Sequence, residues 1–198
     1  MPMNFLHRKL CSSKKWAAAV ADILPNYLAA HELGEHVLEI GPGFGATTRI
    51  LADGSRNLTA LEVDKESAEL LRAEFAGKAE IVHGDGAKMP FEDGTFSAVV
   101  CFTMMHHVPS PELQDAIFGE AFRVLRPGGV FTGTDSQLSV RFRLLHIHDT
   151  MTVLDARTLP DRLRRAGFAD VDVRHRPKER VAFTGRKPAP AGPAAPPS

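Results

Sequence analysis

Two groups of residues in this chain have the types and spacing for chemistry. The first is VLEIGPGFGATTRIL, Val37 to Leu51: an apolar run, glycines at Gly41, Gly43 and Gly45 around Pro42, then the start of a helix. Such glycines let a ligand approach the backbone closely, and a glycine loop between strand and helix commonly cradles a nucleotide. The second group is rich in imidazole: His106 and His107, then Asp135, then His146, His148 and Asp149 in RLLHIHDTM. Histidine titrates nearest neutral pH, so His107, His106 or His146 is the expected general base for a protonated nucleophile. Asp135, His146 and Asp149 suggest a further role, holding a divalent cation such as magnesium that acidifies an acceptor hydroxyl. Both histidine groups also have plainer readings, the pair as packing and H-x-H-D as a solvated loop.

These residues need a frame. Helical spacing runs over Lys14–Glu32, with Pro25 as an expected kink. Short apolar segments at Val37–Ile40, Asn57–Val63 and AEIVHG read as strands, with helices at Ala46–Ala52 and Lys65–Phe75 between them. Asp64 is placed to cap the second of these helices. FSAVVCF, Phe96–Phe102, is apolar on both faces, as a central parallel strand requires. A helix over Pro111–Leu125, an RPGG turn, a strand VFTGTD, a helix LPDRLRRAGF and strands ADVDVRH and RVAFTGR complete the order. The alternation predicts an α/β fold, a doubly wound and mostly parallel sheet whose last strands pair antiparallel. Ligands in such sheets bind beyond the carboxyl ends of the strands. That rule selects Glu39–Gly45, Glu62–Asp64, Gly84–Ala87, Thr103–Val108 and Gly133–Ser136.

Gly41, Gly43 and Ala46 satisfy the dinucleotide fingerprint, and Glu62 follows at about 20 residues. Glu39 argues the other way. A carboxylate two residues before the first glycine repels a pyrophosphate, which that loop would otherwise draw to the helix N-terminus. S-adenosylmethionine has no phosphate and brings an ammonium and a sulfonium, so a glutamate there is favourable.

The chain resembles the class I S-adenosylmethionine-dependent methyltransferases. LEIGPGFG is similar to their E/D-x-G-x-G-x-G motif, and LEVD to their acidic end of strand two. HGDGAKMPFEDGTFSAVVCF resembles their G-D-A-x-x-L-P-F-x-D-x-x-F-D stretch, and RVLRPGGVF their R-V-L-K-P-G-G turn. The likeness covers roughly Val37 to Val173, in order. It implies a Rossmann-like sheet of seven strands with the last antiparallel, and S-adenosylmethionine as cofactor. By that resemblance Glu39, Gly41, Pro42, Gly43 and Gly45 form the loop at the methionine portion, and Glu62 accepts from both ribose hydroxyls. Val63 lies against the adenine, Asp85 accepts from its amino group with Gly86 and Ala87 beside it, and Thr103 contacts the methionine portion.

The 198 residues suit one domain. The 24 basic and 24 acidic side chains balance, against the basic excess of a nucleic-acid binder. No apolar run is long enough to span a bilayer. His7, Arg8 and Lys9 interrupt FLHRKLC, the one stretch similar to a lipoprotein cleavage site, so no signal peptide is expected. Two cysteines in unlike contexts, Cys11 and Cys101, make no disulfide framework and fit a reducing cytoplasm. Residues 1–35 are expected to form a helical lid with Trp16 shielding the site, 36–186 the catalytic domain, and 187–198 a disordered Pro/Ala-rich tail.

TMMHHVP after the fourth strand replaces the N/D-P-P-Y loop of exocyclic-amine enzymes, and no Pro-Cys pair supplies a cytosine-type nucleophile. The expected reaction is therefore O-methylation of a small polar acceptor, a sugar or phenol, by a monomer or homodimer. N- or C-methylation, a catalytically silent cofactor-binding subunit and a nicotinamide oxidoreductase are the alternatives.

Overall fold

A computed structural model describes residues 4–53, 57–147 and 149–189. Helices α1 (Phe5–Cys11) and α2 (Lys14–Ala29) come first, followed by β1 (His36–Ile40), α3 (Ala46–Ala52), β2 (Asn57–Glu62), α4 (Lys65–Glu74) and β3 (Glu80–His83). The chain continues through β4 (Phe96–Phe102), a 3-10 turn (Met105–His107), α5 (Pro111–Val124), β5 (Leu125–Ser136) and α6 (Val140–Leu145). Helix α7 (Leu159–Arg165) and strands β6 (Ala169–Arg176) and β7 (Arg180–Arg186) close it.

The seven strands form one sheet in the order β3-β2-β1-β4-β5-β7-β6. Strands β1 to β5 pair in parallel, and β7 runs antiparallel between β5 and β6. This is the doubly wound sheet that the alternation predicts. Chain order reverses between β1 and β4, which opens a crevice at their carboxyl ends. Every residue of β4 is buried, so its run of β-branched and aromatic side chains has both faces to fill. One apolar core, including Leu38, Phe118, Phe131 and Phe183, lies under α5 and α7. A second, with Leu24, Leu28, Val37 and Val100, lies under α2.

Caps set several helix starts. Asp64 accepts from Ser67 N at 2.8 Å, and Ser110 accepts from Leu113 N at 3.3 Å with Pro111 opening α5. Four elements depart from the sequence reading. Helix α2 runs unbroken through Pro25 to Ala29; Leu24 and Leu28, both buried, anchor it on either side of the lost hydrogen bond. RPGG lies inside β5 as a bulge, where the pairing with β4 jumps from Phe96–Leu125 to Ala98–Val130. Helix α6 has no buried residue, so no apolar periodicity announces it. Lys187 does not begin the tail: it exchanges backbone hydrogen bonds with Gly128 and Gly129 at 2.8 and 2.9 Å. The rest of the expected tail beyond Ala189 lies outside the described residues, as does His148.

Candidate active site

The crevice between β1 and β4 opens into a cleft of about 440 Å³. Gly41, Pro42, Gly43, Glu62, Val63, Asp85, Gly86, Ala87 and Thr103 all line it. Glu39 and Gly45 do not. Both lie beneath the loop, each for a physical reason.

Gly45 starts α3 with φ +72, and a β-carbon there would stand 2.9 Å from the Phe75 ring. Its role is to let the loop turn against α4. Gly41, at φ +67, packs on Met104, where a β-carbon would meet that side chain at 3.1 Å.

Glu39 is 1% exposed. The Thr47 hydroxyl donates to one of its oxygens, while the other is buried without a partner. Burial pushes its carboxyl up to about 7, against the opposing hydrogen bond from Thr47. Thr47 lines the cleft and so connects the buried acid to it. The sequence offered no signal for Thr47 beyond its place in the first turn of α3.

Glu62 closes β2 and is held at both oxygens, accepting from Gly43 N at 3.2 Å and Asp64 N at 2.9 Å. Burial raises its pKa, opposed by these two backbone donors. Each oxygen keeps acceptor capacity for a ligand hydroxyl. Asp85 is pinned by Ala87 N at 2.8 Å. Val63 is 42% exposed on the cleft wall, an apolar platform for a flat ring. Thr103 follows β4 at φ +52, a left-handed backbone conformation that costs a non-glycine residue about 1–3 kcal/mol and collects at functional sites.

Thr103 also lines a second cavity of about 210 Å³ under α2, with Trp16, Val20, Thr47 and Phe102 shared between the two. Leu24, Ile23 and Tyr27 wall its far side, and Asp135 and Arg180 reach it. Arg8, Cys11, Trp16 and Val20 bring the N-terminal helices to the main cleft. Burial raises the Cys11 thiol to about 11, so it is not an activated nucleophile.

Among the described histidines of the predicted group, only His107 lines the cleft. Burial, and then the neighbouring His106, His7 and His146, lower its pKa to about 2. It is a neutral ring at pH 7. His106 and His146 lie behind it, 3% and 4% exposed. His106 Nδ1 contacts Asp135 at 2.5 Å, and His146 Nδ1 contacts the Phe142 carbonyl at 2.8 Å.

The expected magnesium set of Asp135, His146 and Asp149 is not assembled. Asp135 is taken by His106, whose backbone N–H it also accepts at 3.0 Å, and Asp149 is taken by His7 at 2.9 Å. With its carboxylates so engaged, this region lacks the oxygen-rich shell that a hard cation needs. Instead His7, His106, His107 and His146 gather, their donor atoms all within 4.8 Å of one another. The sequence reading missed His7, which lies about a hundred residues from the nearest of the others along the chain.

The cleft has the chemistry for a cationic nucleoside: a buried carboxyl under the loop with one oxygen unpartnered, a doubly held acid at the end of β2, and an apolar wall between β2 and β3. A family model described as a methyltransferase domain matches residues 38–132. A probable S-adenosylmethionine-dependent methyltransferase of Mycolicibacterium smegmatis is 30% identical over 171 residues, which cover 78% of this chain and 65% of that protein. These matches support a class I S-adenosylmethionine-dependent methyltransferase. A Caenorhabditis elegans sterol 4-C-methyltransferase is 36% identical over 107 residues, 50% of this chain and 31% of that protein. The chain therefore spans about two thirds of the first relative's length and about a third of the second's. The fold matches that of the PH0226 protein from Pyrococcus horikoshii, with a TM-score of 0.77 at 15% identity over 92% of this chain and 96% of that one. Among the described residues no helix is long and apolar enough to cross a membrane.

Proposed function

We propose that this chain transfers a methyl group from S-adenosylmethionine to the hydroxyl of a small acceptor with an apolar body, a phenol in preference to a sugar. When bound, the cofactor supplies an electrophilic methyl group on a sulfonium. Glu62 accepts from the ribose hydroxyls. Val63 lies on the adenine, and Asp85, Gly86 and Ala87 read its edge. Gly41, Pro42 and Gly43 form the wall at the methionine portion with Thr103. Glu39, acting through Thr47 or water, favours the cationic end, and Gly45 shapes the loop from below. Helices α1 and α2 cover the cleft as a lid, with Trp16 between the two cavities.

One observation supports the acceptor class: the second cavity is walled mainly by Trp16, Ile23, Leu24, Tyr27 and Phe102, and it meets the cofactor cleft at Thr103. An aromatic ring suits these apolar walls, and Thr134, Asp135, Ser136, Glu179 and Arg180 on the same lining offer partners for a polar substituent. His107 accepts the hydrogen of the acceptor hydroxyl. With its pKa lowered to about 2, it orients that hydroxyl better than it stores the proton. A phenol, which ionises near pH 10, needs less help than an alcohol. Holding nucleophile and methyl in line supplies about 7–11 kcal/mol of the barrier.

Methylation at carbon is the second reading, favoured by the likeness to a sterol 4-C-methyltransferase over half the chain. The two are separated by incubating the protein with methyl-labelled cofactor and phenols, sugars and sterols, then locating the label by NMR. Label on a phenolic oxygen is the expected result. Label on ring carbon would replace this reading with the second, and label on sugars alone would overturn the acceptor class. The protein is expected to act in the cytoplasm on a small molecule, as monomer or homodimer.

A further inference from the structure

The four histidines behind the cleft wall are more ordered than packing requires. His7 donates from Nδ1 to Asp149 at 2.9 Å, His106 to Asp135 at 2.5 Å and His146 to the Phe142 carbonyl at 2.8 Å. A carboxylate or carbonyl oxygen only accepts, so each Nδ1 carries the hydrogen and each Nε2 is left with a free lone pair. His106 and His146 are 3% and 4% exposed, and their Nε2 atoms have no hydrogen-bond partner. Buried polar atoms are rarely left so. Three rings anchored at one nitrogen and open at the other reproduce the arrangement of metal-ligating histidines, whose second nitrogen is held by a carboxylate or carbonyl.

We propose that His7, His106, His107 and His146 bind a transition-metal dication, zinc being the natural fit, which clasps α1 to the cofactor-binding sheet. The donor set is all imidazole. Imidazole suits zinc and its neighbours, whereas magnesium and calcium need carboxylate or carbonyl oxygens. Four nitrogens at about 2.05 Å from a tetrahedral ion stand about 3.3 Å apart. The donor atoms here lie within 4.8 Å of one another, so they close in by at most about 1.5 Å to reach that spacing.

The ligands come from three separate places: α1, the turn after β4, and the end of α6. Helix α1 is already docked there. Asn4 N donates to Asp149 at 2.6 Å, and the Asn4 amide donates to the Leu145 and Ile147 carbonyls at 2.7 and 3.0 Å. Because α1 also brings Arg8 and Cys11 to the cleft, the metal would fix one wall of the cofactor site. Ligation would occupy the one lone pair of the neutral His107 ring, so the metal-loaded protein would hold the acceptor hydroxyl without it; the choice of acceptor is unaffected.

The test uses the full chain without an affinity tag, stripped with chelator and titrated with zinc chloride in a calorimeter. Cobalt is the spectroscopic probe, and magnesium chloride is the control. The expected results are one zinc per chain, a tetrahedral cobalt absorption band, and no heat with magnesium. His7→Ala should abolish the site while leaving the circular dichroism unchanged, since His7 lies on a short helix outside the sheet. Asp149→Asn should weaken zinc binding by about 10–100-fold, the usual effect of losing an outer-shell partner. Zinc binding that is absent in the wild type, or equally tight in a folded His7→Ala protein, would overturn the proposal.

Discussion

The candidate cofactor cleft and the histidine cluster share a wall at His107, yet they are built in opposite ways. The cleft is made at strand ends, where one topological rule brings β1, β2, β3 and β4 to the same edge. Its polar groups are held by backbone: Glu62 by Gly43 and Asp64, Asp85 by Ala87. The cluster is made by side chains from segments far apart in sequence, with the rings of His7, His106 and His146 each held by another side chain or a single carbonyl. The cleft should therefore survive loss of any one side chain, whereas the cluster depends on each.

The largest expected effect removes both together. Phe131 is fully buried in β5 beneath the α5 and α7 face, and Phe131→Ala should cost about 3–5 kcal/mol of stability in denaturant titration. Cofactor and zinc binding should then fail at the same denaturant concentration; separate transitions would show that the two regions fold independently. Zinc at about 100 times its dissociation constant should stabilise the protein by about 2.7 kcal/mol, read as a rise in melting temperature. Glu62→Ala should leave that rise intact, because it alters the cleft alone. Gly45→Ala should cost on the order of 1–2 kcal/mol from its left-handed backbone, and more if Phe75 cannot yield. A melt unchanged by that substitution would show that the loop does not need the glycine.

A further effect concerns pH. The Glu39 carboxyl is raised from 4.5 to about 7 in the folded protein. Its neutral form is the one the fold favours, so the associated stability is full below pH 4.5 and is lost as pH rises through about 7. Glu39→Gln should flatten this part of the stability profile between about pH 5 and about pH 8. An unchanged profile would assign it to another group.

The cleft was legible in sequence because its residues sit in four short motifs, each tied to a strand end. Nine of the eleven residues expected at the cofactor line the cleft. The other two, Glu39 and Gly45, lie beneath the loop, a distinction of depth that spacing along a chain does not carry. Helix α6 was not legible because it buries nothing. Asp135 and Asp149 looked like ligands because carboxylates beside histidines suit a metal equally as first or outer shell; only their contacts with His106 and His7 decide which. His7 had no signal at all, since nothing in a sequence brings α1 to the end of α6.

The most direct test of the central claim is a calorimetric titration of S-adenosylhomocysteine and of NADH into the wild-type chain and Glu62→Ala. The account predicts that S-adenosylhomocysteine binds, that Glu62→Ala weakens it by about 1.5–3 kcal/mol, the scale of hydrogen bonds to a charged group, and that NADH gives no heat. Binding of NADH, or equal S-adenosylhomocysteine affinity in the two proteins, would contradict it.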